Sequence, residues 1–210
     1  FIQLMNNAEF LKRYDMTPET VIAMFIPNTY EVYWDVTAEK LFDRMFQEYK
    51  RFWTEERLTK AQAANLTPVE VSTLASIVDE ETNVAKDKPV IAGLYLNRIR
   101  KGMPLQACPT VKFALGDFTL TRILTEHTRI NSPYNTYKYR GLPPGPIRMA
   151  SIAGIDAVLN HTKSNYIYMC AKETLNGEHS FATTLAEHNK NTQRYHRAYR
   201  QWERDRKNKN

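Results

Sequence analysis

Three consecutive acids, Asp79, Glu80 and Glu81, interrupt an otherwise apolar run between Leu66 and Ala85. Placed at about 100° per residue on a helix, Val71, Leu74, Ala75, Ile77, Val78, Val84 and Ala85 form one broad apolar face. Glu80 points away from that face and Asp79 lies beyond one edge. Glu81 falls inside it, between the rows of Ile77 and Leu74. A carboxyl held among apolar neighbours loses hydration, which disfavours its charged form and raises its pKa. A carboxylic acid that keeps its proton near neutral pH can give it to a leaving group. The same pattern also fits a glutamate at the rim of the face that reaches water or pairs with Arg or Lys.

The helix that would position these acids carries a full start signal. Thr67 can cap, Pro68 occupies the first helical position and Glu70 stands where a capping box needs a carboxylate. Leu66 and Val71 have the spacing of a hydrophobic staple.

Composition narrows the partners. The 210 residues suit one medium domain with a small appendage, and 42% apolar residues suffice for a core. A net charge of +6 favours an anionic partner such as nucleic acid, acidic lipid or acidic wall polymer, although Arg194 to Lys209 supplies much of the excess. Twelve tyrosines, nine phenylalanines and three tryptophans fit a carbohydrate or nucleic-acid binder as well as a large core. Cys108 and Cys170 make neither a disulfide framework nor a zinc pattern. Two buried free thiols are expected, with a single bridge the alternative. No run of about 18 apolar residues is present to span a membrane.

Along the chain, residues 1–15 read as the end of a preceding module, and Thr17-Pro18-Glu19 as the start of a brief helix to Phe25. Tyr30 to Trp34 reads as extended. Thr37 caps a long helix with Leu41, Phe42, Met45, Phe46, Tyr49, Phe52 and Trp53 on one face. Thr59 to Asn65 reads as a polar link. A further helix runs from Val90 to Lys101, closed by Gly102, with Arg98 explained by the helix dipole. Leu105 to Ala114 passes from loop into helix. A proline-stiffened loop comes next, through Asn131-Ser132-Pro133-Tyr134-Asn135-Thr136-Tyr137 and Arg140 to Ile147. Its aromatic, amide and hydroxyl groups suit a sugar, and suit equally a loop that packs tyrosines on the core. Ser151 to Asn160 is a short helix. Asn176-Gly177 turns a hairpin between strands at Tyr166–Ala171 and His179–Phe181. Thr184 and Glu187 begin a closing helix to about Trp202. Helices with one hairpin give an α+β domain.

Four stretches, in order, resemble the MltG (YceG-like) endolytic murein transglycosylases, which cut nascent peptidoglycan strands. They are Leu74-Ala75-Ser76-Ile77-Val78-Asp79-Glu80-Glu81-Thr82, Leu105-Gln106-Ala107-Cys108-Pro109-Thr110-Val111, Tyr134-Asn135-Thr136-Tyr137 with Gly141-Leu142-Pro143-Pro144-Gly145-Pro146-Ile147, and His179-Ser180-Phe181 with His188-Asn189. The resemblance runs from about Ile26 to the closing helix. It implies a mainly helical, lysozyme-like catalytic domain over residues 16–205 with a small hairpin, and a basic tail at 206–210. Residues 1–15 would be the remnant of a LysM-like module. Glu81-Thr82 occupies the place of the family's catalytic glutamate. Cys108 replaces the aspartate of the family's Leu-Gln-x-Asp-Pro-Thr pattern.

The resemblance implies cleavage of the β-1,4 bond between N-acetylmuramic acid and N-acetylglucosamine without water, leaving 1,6-anhydro ends. Glu81 would be the single general acid and base. Gln106, Thr110, Tyr134, Asn135, Thr136, Tyr137 and His179 would hold the glycan. No cofactor or metal is expected. The implied setting is the cell envelope, on an extracytoplasmic domain tethered by an N-terminal membrane helix, beside peptidoglycan synthases. The rivals are a hydrolase with a second carboxylate, a wall-binding module without activity, and a nucleic-acid binder suggested by charge alone.

Overall fold

In the computed structural model, which describes residues 1–208, the chain is built around α5 (Pro68–Glu81). Its start is the expected capping box: Thr67 Oγ1 accepts from Glu70 N at 3.2 Å, and Glu70 Oε2 accepts from Thr67 N at 2.8 Å. Every residue from Val71 to Asp79 is buried. A helix enclosed on all sides has no outer face to read from periodicity. The helix ends at Glu81 rather than near Ala85: Thr82 is extended at φ −153°, and its hydroxyl accepts from Val84 N. Glu81 is therefore the last helical residue.

Three elements enclose α5. Running beside it is α6 (Lys88–Arg100), whose Ile91, Ala92, Leu94 and Tyr95 are buried. The N-terminal end of α8 (Ile152–Leu159), capped by Ser151, meets Asp79. α7 (Cys108–Leu115) packs against α5. α4 (Glu55–Ala63) occupies the stretch expected to be a polar link. Thr54 caps it through Arg57 N, and Ala61 alone is buried along it, so it carries little apolar periodicity.

A second apolar cluster lies at the amino-terminal end. α1 (Ile2–Met5), α2 (Ala8–Leu11) and a 3₁₀ turn at Lys12–Tyr14 bring Leu11 and Tyr14 onto Phe42 and Met45 of α3 (Ala38–Phe52). Residues 1–15 thus pack onto the domain that comes after them. The segment expected as a helix from Thr17 is a 3₁₀ turn at Val21–Met24, and Tyr30 to Trp34 forms no strand.

The hairpin is β1 (Tyr168–Ala171) and β2 (His179–Ala182), antiparallel, with Cys170 opposite Ser180. Gly177 sits at φ +85° in its turn, a conformation that the Asn-Gly pair anticipates. α6 anchors this sheet. Asn97 Nδ2 donates to the carbonyls of Ser164 and Tyr166, and Asp87 accepts from His179 N at 2.8 Å. α9 (Leu185–Lys207) then packs on the sheet. Arg206 and Lys207 belong to this helix rather than to a tail; residues 209 and 210 lie outside the described residues. The fold is α+β, as the order of elements implies.

Candidate active site

Glu81 opens into a cleft of about 500 Å³ between α6, the Gln106–Cys108 segment, the hairpin and the start of α9. Tyr95 Oη donates to Glu81 Oε1 at 2.7 Å. Burial pushes the Glu81 carboxyl up to about 7; the Tyr95 bond opposes the rise and neighbouring Glu80 adds to it. The end of α5, with its unpaired carbonyls, disfavours a carboxylate in the same direction as burial. With Oε1 engaged by Tyr95, Oε2 is left to carry a proton into the cleft. Among the described residues lining the cleft, Glu81 is the one carboxyl group.

The two other acids face elsewhere. Glu80 is exposed and pairs with Arg148 at 2.5 Å, as its position predicts. Asp79 is buried, not beyond the edge of the packed face. It pairs with Lys88, and its carboxylate accepts from Ser151 N at 2.7 Å and Ser151 Oγ at 2.9 Å. α8 sits so close that a Cβ at Gly154 would lie 2.6 Å from Asp79 Oδ1. Only a glycine in that first turn lets the carboxylate cap the helix.

Arg98 does more than complement a dipole. It is buried, and its guanidinium donates to the carbonyls of Ile167, Pro104 and Leu105 and to Gln106 Oε1 at 3.1 Å. It thereby ties the residue before β1 to the Gln106 segment and lines the cleft. Gln106 itself is exposed and held at φ +53°, an unusual conformation for a residue with a side chain, by Arg98 and by a bond from its N–H to Thr136 O. Its side chain is fixed at the mouth.

The expected glycan-holding residues divide. Gln106, Tyr137 and His179 line the cleft with Glu81. Thr110, Asn135 and Thr136 are buried, with their polar groups spent inside the protein. Thr110 and Thr136 share a 2.8 Å hydrogen bond, Thr136 Oγ1 accepts from Ala107 N, and Asn135 Nδ2 donates to the carbonyls of Thr128 and Ile130. They build the loop that carries Tyr137. Tyr134 packs its ring on Phe113 at 4.7 Å. His179 is oriented by Asp87, 3.2 Å from its Nδ1.

Both cysteines are free thiols and both border the cleft. Cys108 is exposed at the mouth rather than buried, and its sulfur shares a 3.1 Å hydrogen bond with Tyr137 Oη. Partial enclosure nonetheless pushes its thiol up, and the Tyr137 bond acts the other way. On the hairpin side, His188 stacks on Tyr168 at 5.3 Å. Its buried Nδ1 has no partner among the described residues, and burial lowers its pKa. Spacing does not single out Tyr95 and Arg98, because α6 is enclosed on every side. The one available signal is chemical: a tyrosine and an arginine within a largely buried helix.

A sequence model of the YceG-like family matches residues 2–194. The chain belongs to the YceG-like family. The match begins well before Ile26, so residues 2–15 fall inside the family pattern. A relative from Bacillus subtilis, named endolytic murein transglycosylase, is 37% identical over 161 residues, which is 77% of this chain and 44% of that protein. One of the same name from Streptococcus pneumoniae is 34% identical over 169 residues, 79% of this chain and 30% of that protein. The chain thus spans less than half the length of these curated relatives. The crystal structure of a YceG-like protein from Listeria monocytogenes superposes with a TM-score of 0.74 at 32% identity, covering 90% of this chain and 66% of the other.

Proposed function

We propose that this domain is a peptidoglycan lytic transglycosylase acting within glycan strands, with Glu81 as its single acid and base. The observation that carries the reading is the lone cleft carboxyl, raised to about 7 by burial and held by Tyr95. The names of the relatives supply the substrate class.

In this mechanism the Glu81 proton passes to the glycosidic oxygen as its bond to C1 of N-acetylmuramic acid breaks. The resulting carboxylate accepts the proton of the muramyl C6 hydroxyl, and O6 closes on C1. Water takes no part, the proton count balances on Glu81, and the products are a 1,6-anhydro end and a free 4-hydroxyl. A two-carboxylate glycosidase needs a second acid about 5–9.5 Å away across the sugar. Asp79 is committed to Lys88 and Ser151 on α8, and Glu80 to Arg148, which favours the one-carboxylate route. Gln106, Tyr137 and His179, which line the cleft with Glu81, would hold the strand.

The same reading puts the domain in the cell envelope, outside the cytoplasmic membrane, beside peptidoglycan synthases. Residues 1–15 would be the remnant of a preceding LysM-like module, and an N-terminal helix would tether the protein to the membrane. Digestion of uncrosslinked strands with the protein and with Glu81→Gln, followed by mass spectrometry of the new ends, tests the chemistry. The expected outcome is anhydro ends that the substitution abolishes. Ordinary reducing ends would make the protein a hydrolase, and binding without cleavage would make it a wall-binding module.

A further inference from the structure

α9 is a polar helix with one feature that its packing does not require. Asn191 is the buried residue along its length, yet Tyr195, Tyr199 and Trp202 recur at four- and three-residue spacing down one side. Their rings lie side by side, with centroids 5.9 Å apart for Tyr195–Tyr199 and 5.6 Å for Tyr199–Trp202. Tyr199 and Trp202 remain 38% and 45% exposed, so the row is not sealed against the core. Together with Leu175 and Gly177 of the hairpin turn, these rings line a groove of about 320 Å³. The groove is polar at its edge, where Lys172 and Glu178 pair at 2.8 Å.

The groove lies beside the Glu81 cleft across β1. Ala171 of β1 borders both. Gly177 borders both the aromatic groove and a smaller hollow that Glu81 itself lines. A long ligand that crosses the hairpin from Glu81 would meet the rings next, since Ala171 and Gly177 are the border residues. From Tyr195 to Trp202 the helix rises about 10 Å, room for a stretch of extended polymer rather than for one small group. Rings with exposed faces beside a polar edge suit a chain of hexosamines, whose flat C–H faces stack and whose hydroxyls and acetamides bond at the rim. The family match ends at residue 194, one position before the row begins, so these rings lie beyond the stretch matched to the family.

We propose that Tyr195, Tyr199 and Trp202 form a second binding surface for the glycan strand, beside the Glu81 cleft, that makes the domain prefer long strands over short ones. The proposal rests on the glycan-strand reading above for the identity of the ligand. It adds no chemistry and predicts where the part of the strand remote from the cut is held.

The test separates binding from cutting. In a Glu81→Gln background, affinity is measured for long uncrosslinked strands and for a tetrasaccharide fragment too short to leave the cleft, with and without the double substitution Tyr199→Ala, Trp202→Ala. Long strands should bind about fivefold or more weakly to the double variant, the loss expected when contact aromatics are truncated. The tetrasaccharide should bind unchanged. The substitution pair Tyr199→Phe, Trp202→Phe should retain most of the long-strand affinity, because it keeps the rings. With Glu81 intact, the alanine pair should raise KM for long strands and leave kcat on the short fragment alone. Equal long-strand affinity in both backgrounds would overturn the proposal, as would a concentration-dependent dimer that the alanine pair dissolves while strand affinity stays constant. Ring-dependent binding by a protein that never cuts would instead leave this surface standing and remove the transglycosylase.

Discussion

Asp79 and Glu81 are two residues apart on one helix, and the regions they enter treat a carboxyl in opposite ways. At the α8 end, Asp79 meets Lys88 and two donors from Ser151, so its charge is matched on every side. In the cleft, Glu81 meets one tyrosine hydroxyl, no cation paired to it among the described residues, and enough burial to lift it to about 7. A carboxyl met by a cation and two donors is committed to the fold, whereas one buried with a single donor has its pKa raised. One acid joins two helices; the other faces the cleft with a raised pKa.

The largest effects should come from removing either carboxylate, and they should differ in kind. Glu81→Gln should slow cleavage by about 10²–10⁴-fold, the range of a lost general acid. It should also stabilise the domain at alkaline pH. The folded pKa is raised, so the folded state keeps a proton that the unfolded chain releases between about 4.5 and 7, and stability falls as pH climbs through that window. The variant should therefore gain roughly 1–3 kcal/mol at pH 8 and nothing at pH 4, read by urea denaturation at the two pH values. Asp79→Asn should do the reverse. It strands the Lys88 ammonium, only 14% exposed, and should cost about 3–5 kcal/mol of stability. Equal stability losses from the two substitutions would dissolve the distinction.

The amino-acid pattern shows the Glu81 side of this contrast and hides the Asp79 side. The capping box at Thr67, the Asn176-Gly177 turn and the position of Glu81 are local facts, written in spacing and turn chemistry. Asp79 looks peripheral because its partner helix lies 72 residues further on, and Gly154 reveals its purpose only once the two helices meet. Arg98 is explained locally by the helix end, and its real partners belong to segments around residues 104–106 and 167. Thr110, Asn135 and Thr136 have side chains suited to a sugar, but the same side chains suit the inside of a tight loop, and composition does not say which way a loop side chain points. α4 escapes a reading by periodicity because a capped helix with one buried alanine has almost no apolar rhythm to detect.

A smaller change sharpens the comparison from inside the cleft. Tyr95→Phe removes the single donor that favours the Glu81 carboxylate. The direction comes from the sign of that bond: it lowers the pKa, so its loss raises it further. Activity that needs the protonated acid should then persist to higher pH, with the alkaline limb of the pH–rate profile displaced upward. The lost buried hydrogen bond should cost about 0.5–1.5 kcal/mol of stability. A limb that moves to lower pH would mean that Tyr95 acts on the reaction by some route other than the charge of Glu81.

The smallest effect concerns Cys108, at the position where the sequence resemblance implies an aspartate. Its sulfur lies at the mouth, bonded to Tyr137, and close enough to Glu81 for their charges to influence one another. Cys108→Asp would place a second carboxylate in a cleft that now has one. Like charges cannot both ionise cheaply at short range, so Glu81 should hold its proton to still higher pH. The alkaline limb should again move up, as with Tyr95→Phe, but the two causes separate under salt. A charge effect weakens as the Debye length falls from about 10 Å at 0.1 M salt to about 3 Å at 1 M, whereas a missing hydrogen bond does not respond to salt. Salt near 1 M should therefore return the Cys108→Asp profile part of the way to that of the parent and leave the Tyr95→Phe profile displaced. An aspartate here should change transition-state stabilisation by only about 0.2–1 kcal/mol, the scale of an exposed charge pair. A much larger gain in rate at every pH would show that the aspartate touches the sugar directly, and that this cleft works with one group fewer than it can hold.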